Sequence, residues 1–319
     1  MEIIKQTKID FMGKKNIALI LSAILIVVAI GSLVTRGLNF GLDFTGGTLV
    51  EVGYPDAPDL GNVRGQLEEA GFENFTVQTF GSARDIVIRV PAETEESEAG
   101  LSDRVLETLQ QGDSGAELRR VEFVGPQVGQ ELANQGGLAL IYALFGILIY
   151  ISIRFQWRFA IGAVAALVHD VLIVVGVLSL LKVSFDLTVV AALLAVIGYS
   201  LNDTIVVYDR LRENFTVKRK GTPIELCNLS VNQMLGRTLM TSITTMLVLI
   251  ALFYFGGEII HAFAFTLIIG VLVGTYSSIY IAGSAAILLG VTKQDLMPAP
   301  KAAEDEPTVE ALPERFRNR

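Results

Sequence analysis

The stretch Ile197-Gly198-Tyr199-Ser200-Leu201-Asn202-Asp203-Thr204-Ile205-Val206-Val207-Tyr208-Asp209-Arg210-Leu211-Arg212-Glu213 closes a long apolar run with a carboxylate, Asp203, still inside it. An acid in hydrocarbon costs about 2.5–3.5 kcal/mol on insertion scales, so its default reading is functional. Tyr199 and Ser200, four and three residues earlier, share its helical face and are able to hydrogen-bond it. Thr204-Ile205-Val206-Val207 carries the apolar run a full turn further, which sets Asp203 inside the run. The competing reading, an acid solvated among headgroups, rests on the nearness of Asp209.

The next apolar run opens with Arg237, beside the hydroxyls of Thr238, Thr241, Ser242, Thr244 and Thr245. These suit helix–helix hydrogen bonds or a water path, whereas Arg237 alone reads equally as a snorkelling anchor. Consecutive antiparallel spans place Asp203 and Arg237 at similar depth. There the guanidinium favours the ionised acid and burial favours the neutral one. The expectation is a carboxylate–guanidinium pair that senses or carries protons. His169-Asp170, in the middle of an earlier run, is either a structural contact between helices or a further relay.

The apolar runs are Asn16–Val34, Gly137–Ile153, Phe159–Leu181, Leu187–Val207, Thr238–Gly256 and Ala262–Leu289. A helix of about 20 residues crosses a hydrocarbon core about 30 Å thick, so each is long enough to span. The first follows Lys5, Lys8, Lys14 and Lys15; it is long for a secretory leader and lacks a small-x-small cleavage site, which predicts an uncleaved span. Lys and Arg orient the set: Arg154, Arg158, Arg210, Arg212, Lys218, Arg219 and Lys220 lie on one side, against Lys182 alone in the short turns of the other. Six spans with both termini cytosolic satisfy this bias.

Residues 38–135 form an insert with 6 Arg, no Lys and 18 Asp plus Glu. Its pattern predicts strands at Thr48–Tyr54, Phe75–Phe80, Asp85–Val90 and Glu117–Val124, helices at Leu60–Ala70 and Glu98–Leu109, and a hairpin turn at Gly81–Arg84. The predicted fold is therefore a membrane all-α bundle of six transmembrane helices with an inserted α+β ferredoxin-like (βαββαβ) extracytoplasmic domain. The partition is 1–37 for the N-terminus and first span, 38–135 for the insert, 136–290 for the remaining five spans and 291–319 for a disordered cytosolic tail. Between spans four and five, Thr222-Pro223-Ile224-Glu225 predicts a capped interfacial helix over 222–236, with a capping box and proline at N1.

Mean hydropathy of +0.53 and 51% hydrophobic residues describe a membrane protein with a sizeable soluble part. A net charge of −8 argues against a nucleic-acid partner. The single cysteine, Cys227, excludes an intrachain disulfide, and it reads as a packing residue. His169 and His261 have no metal-ligand spacing, no glycine loop carries phosphate-binding residues, and no cofactor or metal is expected. Catalysis is not expected either: an intramembrane protease is disfavoured because Ser200 has no histidine foreseen near its depth.

Five stretches resemble the SecF family, membrane subunits of the bacterial Sec protein-export machinery that are related to the resistance-nodulation-division exporters. They are Gly41-Leu42-Asp43-Phe44-Thr45-Gly46-Gly47, Val124–Leu132, Ile197–Glu213, Arg237–Ser242 and Gly274–Ala282. The resemblance implies a SecD partner, association with the Sec channel (SecY, SecE and SecG) and neighbouring membrane proteins, and use of the proton gradient to draw exported preproteins outward across the bacterial inner membrane. It assigns proton coupling to Asp203 and Arg237; the residues themselves add Tyr199, Ser200, Thr238, Thr241, Ser242 and Asp170 as a supporting polar face. A small-molecule or lipid exporter half and a non-transporting assembly scaffold are the rival expectations.

Overall fold

The computed structural model describes residues 7–91, 98–112, 115–155, 157–218 and 221–291. Six of its helical stretches are long and apolar enough to cross a membrane. They are α1 (Lys15–Arg36), α5 (Pro126–Arg154), α6 (Trp157–Leu181), α7 (Leu187–Val217), α8 (Pro223–Phe255), and α9 (Glu258–Ser277), which continues through a π-helical turn at Ser278–Ala282 into α10 (Gly283–Leu288). Helices α6, α7 and α9 make the centre of the bundle, α1 packs on α6, and α8 lies against α7 and α9. Ile20, Val27, Ile141, Phe145, Leu247 and Val248 face outward, as a lipid-facing surface requires. Tails of lipid are as apolar as leucine, so association inside a bilayer depends on close packing by small residues. A Cβ on Gly176 of α6 would fall 2.2 Å from the Cβ of Ala29 on α1, and one on Gly270 of α9 would fall 2.0 Å from a methyl of Val196 on α7. Those two glycines set the helix separations.

Between α1 and α5 the chain forms β1 (Asn39–Phe40), α2 (Leu42–Thr45), β2 (Gly47–Gly53), α3 (Leu60–Glu69), β3 (Thr76–Phe80), β4 (Ser82–Val90), α4 (Glu98–Gly112) and β5 (Glu117–Val124). Strands β3-β4-β2-β5 pair in that order, every neighbour antiparallel. Alternate residues Val50, Val52, Ile86 and Ile88 point to one face and pack with Val63 and Leu67 of α3 and with Leu101, Val105 and Leu109 of α4. Asp59 caps α3 by accepting the N–H of Gly61 at 2.8 Å. Strand β4 begins at Ser82, three residues before the expected start. Gly81 reverses the chain alone at φ 72° beside a bulge at Thr79/Phe80, so the four-residue turn is absent.

A second, two-stranded sheet was not foreseen. Strand β1 pairs in parallel with β6 (Ser184–Phe185) in the α6–α7 connection, and Gly41 N donates to Phe185 O at 2.7 Å. This pairing fixes the insert to one end of the bundle, called the sheet end below. The helix-free face of the larger sheet turns toward that end across a cleft of about 410 Å³ lined by Glu51, Arg89, Arg120, Glu122, Asp43 and Asp186 among others. Arg89 reaches over it to Ser184 Oγ at 3.1 Å.

The structure departs from expectation most at α8. One unbroken helix, Pro223–Phe255, replaces an interfacial helix over 222–236 followed by a separate span. Nothing between Leu235 and Thr238 stops a helix: there is no proline, and an interior glycine such as Gly236 costs only about 1 kcal/mol. Its start is as expected, with Thr222 Oγ1 accepting from Glu225 N and Glu225 Oε2 accepting from Thr222 N. Asn228 and Asn232, expected on the polar face of an interfacial helix, hold the segment ahead of α1. Asn228 Oδ1 accepts from Met12 N at 2.8 Å, and Asn232 Oδ1 accepts from Ile9 N at 2.8 Å and from Thr7 Oγ1 at 2.7 Å. Cys227 is buried in the same core cluster as Met12. The tail beyond Lys293 lies outside the described residues.

Candidate functional site

Asp170 stands near the middle of α6 with 0% exposure, and three helices meet on its carboxylate. Oδ2 accepts from Ser200 Oγ of α7 at 2.5 Å and from Ser277 Oγ of α9 at 2.7 Å, while Oδ1 lies 2.9 Å from His169 Nδ1. Close approach of α7 and α9 makes this possible: a Cβ on Gly274 would sit 3.0 Å from the Cβ of Ser200. The polar seam continues through Ser278, whose hydroxyl donates to Ser200 O at 3.3 Å and lies 3.0 Å from Thr204 Oγ1. Here α9 passes into its π-helical turn, a break that recurs at functional positions. Within that turn Ala282 O, the last carbonyl, accepts the buried Tyr208 hydroxyl at 3.0 Å.

Asp203 is 3% exposed, and its Oδ2 has no hydrogen-bond partner among the described residues. It does not contact Arg237. Among the described residues no hydrogen bond or ion pair within 4.0 Å joins them, and Arg237 is exposed. The reason is rotational. Val231, Leu235, Thr238 and Ser242 form the buried stripe of α8, and one residue is a turn of about 100° around the axis. Arg237 therefore falls on the outward stripe with Met240 and Thr244, both exposed. Burial keeps Asp203 inside and helix phase keeps Arg237 outside.

The remaining expected site residues divide. Ser200 is spent on Asp170 rather than on Asp203. Tyr199 has its hydroxyl buried with no hydrogen-bond partner among the described residues. Thr238 is buried, and Ser242 Oγ meets Thr275 Oγ1 across α8 and α9 at 2.8 Å. Thr241 turns its hydroxyl back onto Arg237 O and Thr238 O of its own helix. A histidine does lie beside Ser200, correcting the sequence expectation, but the order is Ser–Asp–His. The serine donates straight to the carboxylate, so no imidazole is placed to deprotonate it, unlike a Ser–His–Asp nucleophile. Ser277, Ser278 and Thr204 are not among the site residues expected from the sequence; the signal for them is two serines placed three and four residues after Gly274, which opens the helix contact they occupy. No group of three or more metal-ligating side chains gathers among the described residues.

A bundle of six membrane-capable helices, with an inserted sheet clamped to one end and carboxylates sealed within its central helices, defines a multi-pass helical membrane protein. A model of the family described as protein export membrane protein SecD/SecF, C-terminal, matches residues 104–292, and the SecD/SecF GG motif matches residues 31–54. The chain belongs to the SecD/SecF family. It is 54% identical over 308 residues to protein translocase subunit SecF of Pseudomonas aeruginosa, covering 95% of this chain and 99% of that one. The SecF of Escherichia coli O157:H7 is 45% identical over 304 residues, covering 94% of each. Among solved structures, SecDF of Thermus thermophilus, a translocon-associated membrane protein, superposes with a TM-score of 0.81 at 36% identity. That match covers 88% of this chain and 38% of the solved one, so the chain spans well under half of that relative. SecDF in a super-membrane-facing form matches with a TM-score of 0.67, also at 36% identity, over 89% of this chain and 39% of the other.

Proposed function

We propose that the chain is an accessory subunit of the Sec protein-export machinery which, with a SecD partner, uses the proton motive force to complete preprotein translocation. Membership of a protein-export family supports the export role, and similarity to a solved SecDF chain of more than twice this length supports the partner. The Sec channel, SecY, SecE and SecG, and the preprotein itself complete the assembly. The charge bias of the short turns supports a setting in the bacterial inner membrane with both termini cytosolic. The sheet end then faces outward, and residues 38–135 form the extracytoplasmic domain. Its β2-α3-β3-β4-α4-β5 order and its antiparallel β3-β4-β2-β5 sheet support the ferredoxin-like reading. The domain plan proposed with it is 1–37, 38–135, 136–290 and 291–319, with the helix α5 (Pro126–Arg154) running across the boundary at 135.

Proton coupling rests on one observation: the Asp203 carboxyl is buried in an apolar span, and its Oδ2 has no hydrogen-bond partner among the described residues. A group so placed is costly as an anion and ready to take a proton. Arg237, on the outward stripe of the next helix, is the cation that a rearrangement or a partner helix brings to it. Protonation of Asp203 releases that attraction and lets the spans repack. Moving one charge through 100 mV supplies about 2.3 kcal/mol, so a few protons bias a two-state element strongly. The test is Asp203→Asn in vesicles holding the chain with SecD and the Sec channel. Gradient-driven export is lost while assembly is retained; unchanged export by the assembled variant overturns the reading.

A further inference from the structure

We propose that His169 and Asp170 form a second proton-carrying station, one that receives a proton before Asp203 does; this rests on the reading of Asp203 just given. Depth is the first argument. Asp170 is 11 residues from the sheet end of α6 at Leu181, and Asp203 is 16 residues from the sheet end of α7 at Leu187. At about 1.5 Å per residue these are about 16 Å and about 24 Å from that end, so a proton entering there meets Asp170 first. The second argument is the seam between them. Ser200 bonds Asp170 and lies three residues from Asp203, about 4.5 Å along the axis. Ser278 and Thr204 extend the hydroxyls to the residue adjoining Asp203.

The third argument is that the site accommodates both proton states. With Asp170 ionised, the hydroxyls of Ser200 and Ser277 donate to it. With Asp170 neutral, its O–H donates to one of them, because a hydroxyl serves as donor or acceptor. His169, 4% exposed, has Nε2 buried with no partner among the described residues, which leaves a second position for a proton. In the transfer, the O–H bond of neutral Asp170 breaks and an O–H bond forms on the Asp203 carboxylate. Their summed charge is unchanged.

The titratable neighbours are few. On α9, Tyr276 stacks on His169 with centroids 6.2 Å apart, and its hydroxyl donates to Ala18 O of α1. On α7 they are Tyr199, next to Ser200, and Asp203. Helix α1 carries Lys15 and Arg36 only at its ends; α5 carries Glu131 in its first turns and Arg154 at its end. No fixed cation among the described residues contacts Asp170.

Infrared difference spectroscopy across a pH titration tests this on the full chain reconstituted with SecD in lipid vesicles. Two carboxyl C=O bands are expected, one abolished by Asp203→Asn and a separate one by Asp170→Asn. Ser200→Ala, which removes one donor to the Asp170 carboxylate, shifts the position of the Asp170 band. An Asp170→Asn spectrum identical to wild type throughout overturns the proposal and leaves the Asp203 reading intact. Absence of any band sensitive to Asp203→Asn defeats that underlying reading instead. Where Asp170→Asn does not assemble, an unmoved spectrum in Ser200→Ala overturns the proposal on its own.

Discussion

Asp43 Oδ2 accepts the backbone N–H of Leu187 at 2.9 Å, so a residue just after the first span caps the start of α7 from 144 positions away. Asp186 caps the same helix locally, accepting from Val189 N at 2.9 Å and Thr188 Oγ1 at 2.6 Å. The two carboxylates satisfy separate members of the four orphan N–H groups that every helix start presents. Each also sits favourably at the positive end of the helix dipole.

Loss of either cap is measurable. Asp43→Ala removes a capping acceptor worth about 1 kcal/mol and loosens the junction held by the β1–β6 pairing. Thermal unfolding in mild detergent is expected to shift down, and amide exchange at Leu187 to quicken. Unchanged exchange there would show that the cross-chain cap contributes nothing.

Gly270 is a steric prediction. Its added Cβ would lie 2.0 Å from Val196, a β-branched side chain that is 1% exposed and has nowhere to turn. Gly270→Ala is therefore expected to cost about 1–3 kcal/mol, the range for overpacking, in denaturant titration of the reconstituted chain. The pair Gly270→Ala with Val196→Ala recovers most of it; a double variant no better than the single one refutes the contact.

Glu51 gives a pH dependence. Desolvation on the helix-free face of the sheet pushes its carboxyl above the usual value, with Arg120 opposing in part. An acid whose folded value is raised holds its proton more tightly when folded. Its contribution to stability is thus fullest at low pH and declines as pH rises from the unfolded value through the folded one. Glu51→Gln removes that decline, so the variant melts higher than wild type at neutral pH and level with it in acid. Equal melting at both pH values would contradict the burial argument.

The strap ahead of α1 responds in the opposite sense. Asp10 accepts from Gly13 N and Asn228 Nδ2, and these bonds hold its carboxyl below the usual value. Support of this kind is present above the unfolded value and fades as pH falls through the folded one. Asn232→Ala removes the acceptor for Ile9 N and Thr7 Oγ1. Limited proteolysis ahead of Met12 is expected to speed up in this variant at neutral pH and in wild type at acid pH. Equal cleavage in all three cases would show that the asparagines hold nothing.

What could be read from the residues depended on range. Hydropathy located all six spans, since about 20 apolar residues have few other uses. Alternation and glycine stops located the strands and helices of the insert to within a few residues. Helix phase did not carry across a boundary drawn in error. By dividing α8 near Gly236, the sequence reading lost the 100° step that separates Arg237 from Thr238, and with it the reason that Asp203 and Arg237 do not touch. The polar role of Ser200 is legible in the sequence but its partner is not, because i−3 spacing within one helix is visible there and a 2.5 Å contact with another helix is hidden. The two-residue strands β1 and β6 are too short to show a period at all.

The unbroken helix α8 behaves as a lever. Its 33 residues make a rod about 50 Å long, strapped at one end by Ile9 and Met12 through Asn232 and Asn228 and bridged midway to α9 through Ser242. A lean of about 5° pivoted at the strap would carry its far tip, at Phe255, through about 3 Å over the 23–27 residues between them. An interfacial helix hinged to a separate span would absorb the same lean in the hinge. A single rod converts a small event beside its strapped end into displacement at the opposite rim of the bundle.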